Sequence, residues 1–178
     1  MSEARSQRSR LSKLLRFIGY GVVALVTIAV LAWVTRSNPL GPIAGRALSG
    51  ELVSEPVEDW SFSDESMLIA VESRPAAPHS VTTVCFTHEG ALYVPAQNGS
   101  AKSWTHYATS DPRVRLLIDG RIYPARATRV TDPALFPELA KAAGAKYAFL
   151  ADGDALPDDV WLFRMDSAAP DVASGAGD

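Results

Sequence analysis

The sequence predicts a mainly β domain, a small antiparallel barrel with two short helices, preceded by one apolar N-terminal helix. Several short β-type runs follow one another through turn-like pairs, and the Asp119-Gly120 pair separating two of them is a strong hairpin signal. Helical segments are too few for the repeated crossovers of a parallel sheet. The uncharged run from Phe17 to Val34 predicts the N-terminal helix.

The run 17–34 predicts a transmembrane anchor. As a helix it would span about 27 Å, close to the thickness of the hydrocarbon core. Tyr20 and Trp33 lie near its ends, where aromatic rings favour the membrane interface. Five basic residues precede the run and only Arg36 follows it closely. The positive-inside rule therefore predicts a basic cytoplasmic arm, residues 1–16, and a C-terminal domain on the extracytoplasmic (periplasmic) side of the inner membrane.

A cleaved signal peptide is the alternative for the same run. Val30 and Ala32 offer a small-residue cleavage site. The apolar run is longer than the usual core of a signal peptide, which favours the retained anchor.

Charge and cysteine content exclude several function classes. Residues 37–178 carry 11 basic and 19 acidic side chains, which argues against nucleic acid as a partner because phosphate binding needs a basic footprint. Cys85 is the only cysteine, so neither an intramolecular disulfide nor a cysteine-rich zinc site can form. In its strand-like run, Cys85 is interpreted as a small buried hydrophobic residue.

The first half of the domain follows a linker. The linker is residues 35–50, which are rich in proline and glycine, and the domain is residues 51–165. Residues 51–62 are a lead-in segment. The expected elements are a strand at Met67–Glu72, a proline loop at Arg74–Pro78, a strand at Val81–His88, a turn at Glu89-Gly90 and a strand at Ala91–Pro95.

The second half supplies both helices and the hairpin. The expected elements are a polar loop at Gln97–Ser100, a helix at Ala101–Ser110, hairpin strands at Arg113–Ile118 and Arg121–Val130, and a final strand at Val160–Met165. Asp132 is predicted to cap a second helix that ends at Ala143, with Gly144 as its stop. Pro137 is the alternative first-turn residue, which would leave residues 133–136 as a turn. Residues 166–178 are predicted to be a disordered acidic tail.

The run from Ser80 to Asp132 resembles the flavin-binding split barrel of the pyridoxamine phosphate oxidase type, closest to the deazaflavin-dependent nitroreductases. The shared order is a strand after a proline loop, a second strand ending in a polar loop, and then a lysine and a tryptophan that open a helix (Lys102 and Trp104). A "DPRV" strand entry at Asp111–Val114 and the "YPARATRV" strand at Tyr123–Val130 complete the pattern. The resemblance covers about a third of the chain. It rests on the order and spacing of these elements.

The resemblance implies a phosphate-bearing redox cofactor, FMN or a deazaflavin, commonly bound at a homodimer interface. Transferred to this sequence, it places His79, Ser80, Thr82, Thr83, Lys102, Ser103 and Trp104 around the phosphate, with Gln97 and Asn98 near the ring. Arg74, a cation near the prolines that precede this strand, is a further candidate for the anion site. Hydroxyl groups, backbone N–H groups at a helix start and a lysine charge suit an anion. The implied function is a membrane-anchored oxidoreductase that reduces small quinone-like or nitro compounds. No catalytic residue is assigned.

A cofactor-free barrel, used as a binding or assembly module facing the envelope, is the alternative. The family carries a glycine-rich basic stretch where this chain has Ser73–Pro78, with no glycine and Arg74 as its one cation. The two functions predict different geometry, because a shared phosphate site requires Arg74 and Lys102 to converge on one pocket. A haem-handling barrel that uses His79 or His106 is a more distant alternative.

Each candidate residue also has a structural interpretation. Trp104 is interpreted as a core or dimer-interface aromatic, Thr82 and Thr83 as ordinary strand residues, and Lys102 as a solvated helix residue. The five arginines of the hairpin, Arg113, Arg115, Arg121, Arg126 and Arg129, are predicted to form a solvated cross-strand face. The three histidines show no metal-ligand spacing, and no metal site is predicted.

Overall fold

The computed structural model describes residues 18–31, 37–149 and 155–170. The chain divides into two compact units, Met1–Arg36 and Ser37–Asp178. In the first unit, residues 18–31 form an exposed helix, α1. Across the described ranges, no helix combines the length and the apolar character needed to cross a membrane. Phe17 and residues 32–34 of the predicted anchor lie outside the described residues, and the anchor stays a prediction.

The second unit is built on one eight-stranded sheet. In chain order its strands are β1 Glu51–Leu52, β2 Ile69–Ser73, β3 His79–Thr83, β4 Phe86–His88, β5 Ala91–Ala96, β6 Arg113–Ile118, β7 Arg121–Arg129 and β8 Trp161–Ser167. The strand order is β3-β2-β6-β7-β8-β5-β4, with every pair antiparallel, and β1 adds to β7 in parallel. The predicted antiparallel β domain is confirmed, with one short parallel pair added.

The sheet curls into a partly closed barrel. β3 lies at one end of the strand order, yet the Thr83 hydroxyl donates a hydrogen bond to the carbonyl oxygen of Pro95 in β5, at 3.4 Å. No ladder joins β3 to β5 among the described strands, so the barrel is open along this seam.

Alternation along the strands separates the interior from the outer face. On β6 and β7, the inward residues Val114, Leu116, Ile118, Tyr123 and Ala125 are buried in the main core with Val71, Leu92 and Phe163. The two helices of this unit are α2, Ser103–Ser110, and α3, Phe136–Lys146. Helix α2 adds Trp104 and Ala108 to the main core, whereas α3 packs Leu139 and Ala143 against Phe86 and Tyr93 on the other side of the sheet.

Both predicted tight turns are present. Asp119 and Gly120 have φ values of 49° and 81°, and Glu89 and Gly90 have values of 51° and 74°. Positive φ at both central residues is the condition for a type I′ hairpin turn, which glycine adopts without a steric cost. These turns fix the β6–β7 and β4–β5 registers.

Several predicted boundaries differ from the structure; strand β8, for example, runs to Ser167, two residues into the predicted tail 166–178. The single strand expected at 81–88 is two strands, because the chain passes at Val84–Cys85 from β3 at one end of the sheet to β4 at the other. Helix α3 continues through Gly144 to Lys146, and the backbone N–H of buried Tyr147 closes it on Ala143. Pro133–Leu135 forms a separate 3-10 turn capped by Asp132, and Pro137 lies in the first turn of α3, the alternative noted above.

Candidate cofactor groove

A groove of about 390 Å³ lies where the open seam of the barrel meets the start of α2. It brings together five of the ten site residues that the sequence predicts, Thr82, Thr83, Gln97, Lys102 and Trp104. The rest of its lining is apolar or small: Gly41, Pro42, Ala44, Leu68, Val81, Val84, Pro95, Ala96 and Phe149. Its size falls within the range of small-molecule sites.

The loop that forms one wall of the groove is held on both sides. Asn98 adopts a left-handed conformation, φ 51°, and its backbone N–H donates to the Asp159 carboxylate at 3.0 Å. Gly99 packs directly on the Trp161 ring, where a Cβ atom would overlap the indole. The hydroxyl oxygen of buried Thr105 lies 2.6 Å from the carbonyl oxygen of Gly99 and 2.6 Å from that of Lys102. The path of residues 97–102 is therefore fixed by contacts from outside the groove.

Among the described residues that line the groove, Lys102 is the one that carries a charge. It occupies the N-cap position of α2 in an extended conformation, and its side chain is exposed. The helix start offers backbone N–H groups and the positive end of the helix dipole, and no acidic residue lies in the first turn. This end of the groove therefore favours an anionic group.

Trp104 borders the groove but belongs to the core. It is 4% exposed, and its ring centroid lies 5.2 Å from that of Phe163. Its structural role, packing α2 against the barrel interior, matches the interpretation of this residue as a core aromatic.

Arg74 and His79 form a separate cluster with Tyr107 of α2. The Arg74 Nε donates to the Ala77 carbonyl oxygen at 2.7 Å, and its guanidinium carbon lies 4.6 Å from the centroid of the Tyr107 ring. The His79 ring meets the same tyrosine edge-on at 5.6 Å. Burial lowers the pKa of His79, and the positive charge of Arg74 lowers it further. Neither residue lines the groove, so Arg74 and Lys102 do not share it.

The other predicted residues lie beside the groove rather than in its lining. Asn98 and Ser103 are exposed on either side of the turn that precedes α2. Ser80 is fully buried against Gly45, and its hydroxyl has no hydrogen-bond partner among the described residues.

Sequence reasoning did not find the contribution of residues 37–50 to the site. Gly41, Pro42 and Ala44 line the groove, and the backbone of Gly45 exchanges hydrogen bonds with that of Ser80 at 2.8 and 3.2 Å. Leu48 is buried in a small cluster with Ala70 and Ile122. The signal was present in the sequence as Ile43 and Leu48, apolar residues within a stretch rich in proline and glycine.

The histidines show no metal centre. His106 lies 2.8 Å from the Ser100 carbonyl oxygen, and His88 lies 3.6 Å from the Glu138 carboxylate. Over the ranges that the structure describes, no group of three histidine, cysteine, aspartate or glutamate side chains is arranged to hold a metal ion.

Comparison with solved structures identifies the architecture. The haem storage protein HutZ from Vibrio cholerae superposes with a TM-score of 0.52 at 15% identity, over 61% of this chain and 87% of that one. The fold is a split barrel. The resemblance to split barrels of the pyridoxamine phosphate oxidase type is thereby confirmed at the level of the fold.

Two further solved structures superpose on this chain with lower TM-scores. An FAD-binding protein from Mesorhizobium loti gives a TM-score of 0.47 at 14% identity, covering 60% of this chain and 84% of that one. A putative pyridoxamine 5'-phosphate oxidase from Listeria innocua gives 0.46 at 15% identity, covering 59% and 86%. No protein-family model matches the sequence. No curated protein matches it either.

Proposed function

We propose that the groove binds a planar, phosphate-bearing redox cofactor, FMN or a deazaflavin. One observation carries the proposal: Thr82, Thr83, Gln97 and Lys102 all line one groove of a split barrel. These are the side-chain types that the cofactor requires, and three different elements of the chain bring them together.

The phosphate would lie at the Lys102 end of the groove. The charge of a lysine ammonium and the partial positive charges of the backbone N–H groups at a helix start both attract an anion. The Lys102 side chain makes no hydrogen bond or ion pair with the described residues, so it can turn towards a ligand without breaking a contact. The cofactor phosphate would therefore gain this charge at little structural cost.

The ring would lie against the apolar part of the groove. Val81, Val84, Pro95 and Ala96 provide hydrophobic surface on the barrel, and Leu68 and Phe149 line the same groove as exposed apolar side chains. The Gln97 amide supplies both a donor and an acceptor at the edge of this surface. Such a combination of apolar walls and few polar groups is typical of cofactor sites.

The proposed activity is the reduction of small quinone-like or nitro compounds by a protein anchored in the inner membrane through residues 17–34. When bound, the cofactor supplies the hydride chemistry. The residues of this chain bind the phosphate, orient the ring and cover it with the apolar groove walls. A homodimer fits the same proposal, because a second copy would cover the exposed Leu68 and Phe149.

The contribution of Lys102 to phosphate binding can be tested by comparing FMN with riboflavin, which lacks the phosphate. We expect FMN to bind the full-length protein more tightly, and Lys102→Ala to weaken FMN binding by about tenfold while leaving riboflavin unchanged. Lys141→Ala, an exposed lysine of α3 outside the groove, is the matched control. Equal affinity for FMN and riboflavin would contradict the phosphate site.

A cofactor-free binding module is the second candidate, and the position of Arg74 favours it. Arg74 is engaged with Ala77 and Tyr107 and does not join Lys102 in the groove. A protein of this kind would bind none of the cofactors and would use the same apolar groove for a partner in the envelope.

A further inference from the structure

A second and larger cleft lies on the outer face of the sheet. It has a volume of about 710 Å³, and it is built on β2, β6 and β7 together with residues 47–52 and 168–170. It shares no lining residue with the cofactor groove. The proposed function therefore makes no use of it.

The floor of the cleft contains a closed ion pair. The Arg115 guanidinium donates to both oxygens of Glu72, at 2.9 and 2.6 Å, and the Leu48 backbone N–H donates to the same carboxylate at 2.5 Å. Glu72 is 4% exposed. Its negative charge is thus fully balanced within the floor and does not oppose an anion in the cleft.

Two further arginines, Arg113 and Arg126, stand at the cleft. Arg113 and Arg126 are directly opposite each other across β6 and β7, an arrangement of like charges that is unfavourable unless an anion lies nearby. Hydrogen bonds from Arg113 lower the pKa of Asp111, and the charge of Arg126 adds to this effect. Both guanidinium groups therefore act electrostatically on the Asp111 carboxylate.

Arg126 is the arginine of the cleft that can accept an anionic ligand. It is exposed and makes no hydrogen bond or ion pair within the described part of the chain. Its cross-strand neighbour on β8, Asp166, pairs instead with Arg164 at 2.9 Å. Among the described residues, Arg126 thus stays unpaired in the cleft, in a domain whose sequence is acidic overall.

The walls of the cleft are mainly apolar. They include Leu48, Leu52, Pro75, Pro78, Pro124 and Pro170. Proline rings are rigid and their nitrogen atoms carry no donor, so these walls offer hydrophobic contact and few hydrogen bonds. A ligand that fits must combine an apolar body with one anionic end.

We propose that this cleft binds a small organic anion with an apolar body, a free carboxylate or phosphate compound whose charged end contacts Arg126. Its hydrocarbon part lies along Leu48, Leu52 and the proline walls. The ion pair of Glu72 and Arg115 holds the floor beneath it.

Calorimetric titration of the full-length protein with octanoate tests the proposal. Octanoate should bind, whereas octanol, which has the same chain without the charge, and inorganic phosphate, which has charge without the chain, should bind at least about tenfold more weakly. Arg126→Glu should weaken octanoate binding by at least about tenfold, and Ala169→Phe, which fills the cleft from an exposed position, should weaken it as well. Arg121→Glu, the same charge change on an exposed residue of β7 outside the cleft, should alter it by less than about twofold.

Several results would overturn the proposal. Absence of octanoate binding would do so, as would equal binding of octanol or equal weakening by Arg121→Glu and Arg126→Glu. Sedimentation with vesicles that contain phosphatidylglycerol distinguishes a lipid headgroup from a free ligand: loss of vesicle binding in Arg126→Glu, without loss of octanoate binding, would assign the charge to a membrane surface instead. Competition by FMN would show that octanoate occupies the cofactor groove.

Discussion

Glu72 and Arg115 form a two-pronged ion pair across β2 and β6, with the Glu72 side chain 5% exposed and the Arg115 side chain 35% exposed. The pair also fixes the segment before β1, because the Leu48 N–H donates to the same carboxylate. A carboxylate this deeply buried is stable only when its hydrogen bonds are complete.

We predict that Glu72→Gln lowers the free energy of unfolding by about 2 kcal/mol. Removing one partner of a buried pair usually costs more, but Arg115 can partly regain water here because a third of its side chain is exposed. Urea denaturation measures the change. Asp166→Asn, which breaks the exposed pair with Arg164, is the matched control and should cost less than about 1 kcal/mol. Equal losses of unfolding free energy would show that the buried Glu72–Arg115 pair stabilises the fold no more than the exposed Asp166–Arg164 pair does.

The turn before α2 gives a second prediction. Gly99→Ala should weaken FMN binding, because the added Cβ would overlap the Trp161 ring and displace the 97–102 wall of the groove. The substitution should also lower the melting temperature. Gly120→Ala is a useful comparison, since its Cβ meets no atom within 4 Å and only the turn conformation, φ 81°, is strained. FMN affinity that falls equally in both variants would contradict a local effect on the groove.

A third prediction concerns the pH dependence of His79. Its pKa is lowered by burial and then by Arg74, so the folded protein holds this ring neutral at pH values where the unfolded chain protonates it. The unfolded state binds more protons in that window, and the contribution of His79 to stability therefore falls as the pH drops below about 6.5 and is complete above it. NMR titration should find a His79 pKa below its ordinary value. Arg74→Ala should raise it, whereas Arg121→Ala should not; an unchanged pKa in Arg74→Ala would contradict the Coulombic contribution.

A fourth prediction concerns Cys85. Burial raises the pKa of its thiol to about 11, although Lys146 Nζ lies 3.9 Å from the sulfur and opposes the shift. The native protein should therefore react very slowly with a thiol reagent at pH 8 and at the rate of a free cysteine once unfolded in urea. Lys146→Met should slow the native reaction further, since it removes the cation that stabilises the thiolate. Rapid labelling of the native protein would show that the sulfur is accessible.

The sequence allowed the local elements of the barrel to be predicted but not their order in the sheet. The Asp119-Gly120 and Glu89-Gly90 pairs specify hairpins because only a few residue types tolerate positive φ at both positions. The break at Val84–Cys85 depends instead on which strands close the barrel. β3 pairs with β2 and β4 with β5, and such pairing over long distances leaves no mark in the alternation of residues 81–88.

The candidate site could be predicted in part for the same reason. Thr83, Gln97 and Lys102 reach one groove because they lie at the ends of elements that the fold places side by side. Arg74 does not join them, since its left-handed conformation, φ 58°, and its stacking on Tyr107 direct it to another part of α2. Nothing in the sequence marks Tyr107 as the partner of Arg74.

Binding of a cofactor in the groove is tested most directly by a visible-absorption titration of the full-length protein with FMN, a deazaflavin and haem. We expect FMN or the deazaflavin to bind with a micromolar or tighter Kd, and Lys102→Ala to weaken this binding by about tenfold while Lys141→Ala leaves it unchanged. Binding of none of the three would contradict the account and favour the cofactor-free module. Binding of haem alone, with no effect of Lys102→Ala, would also contradict it.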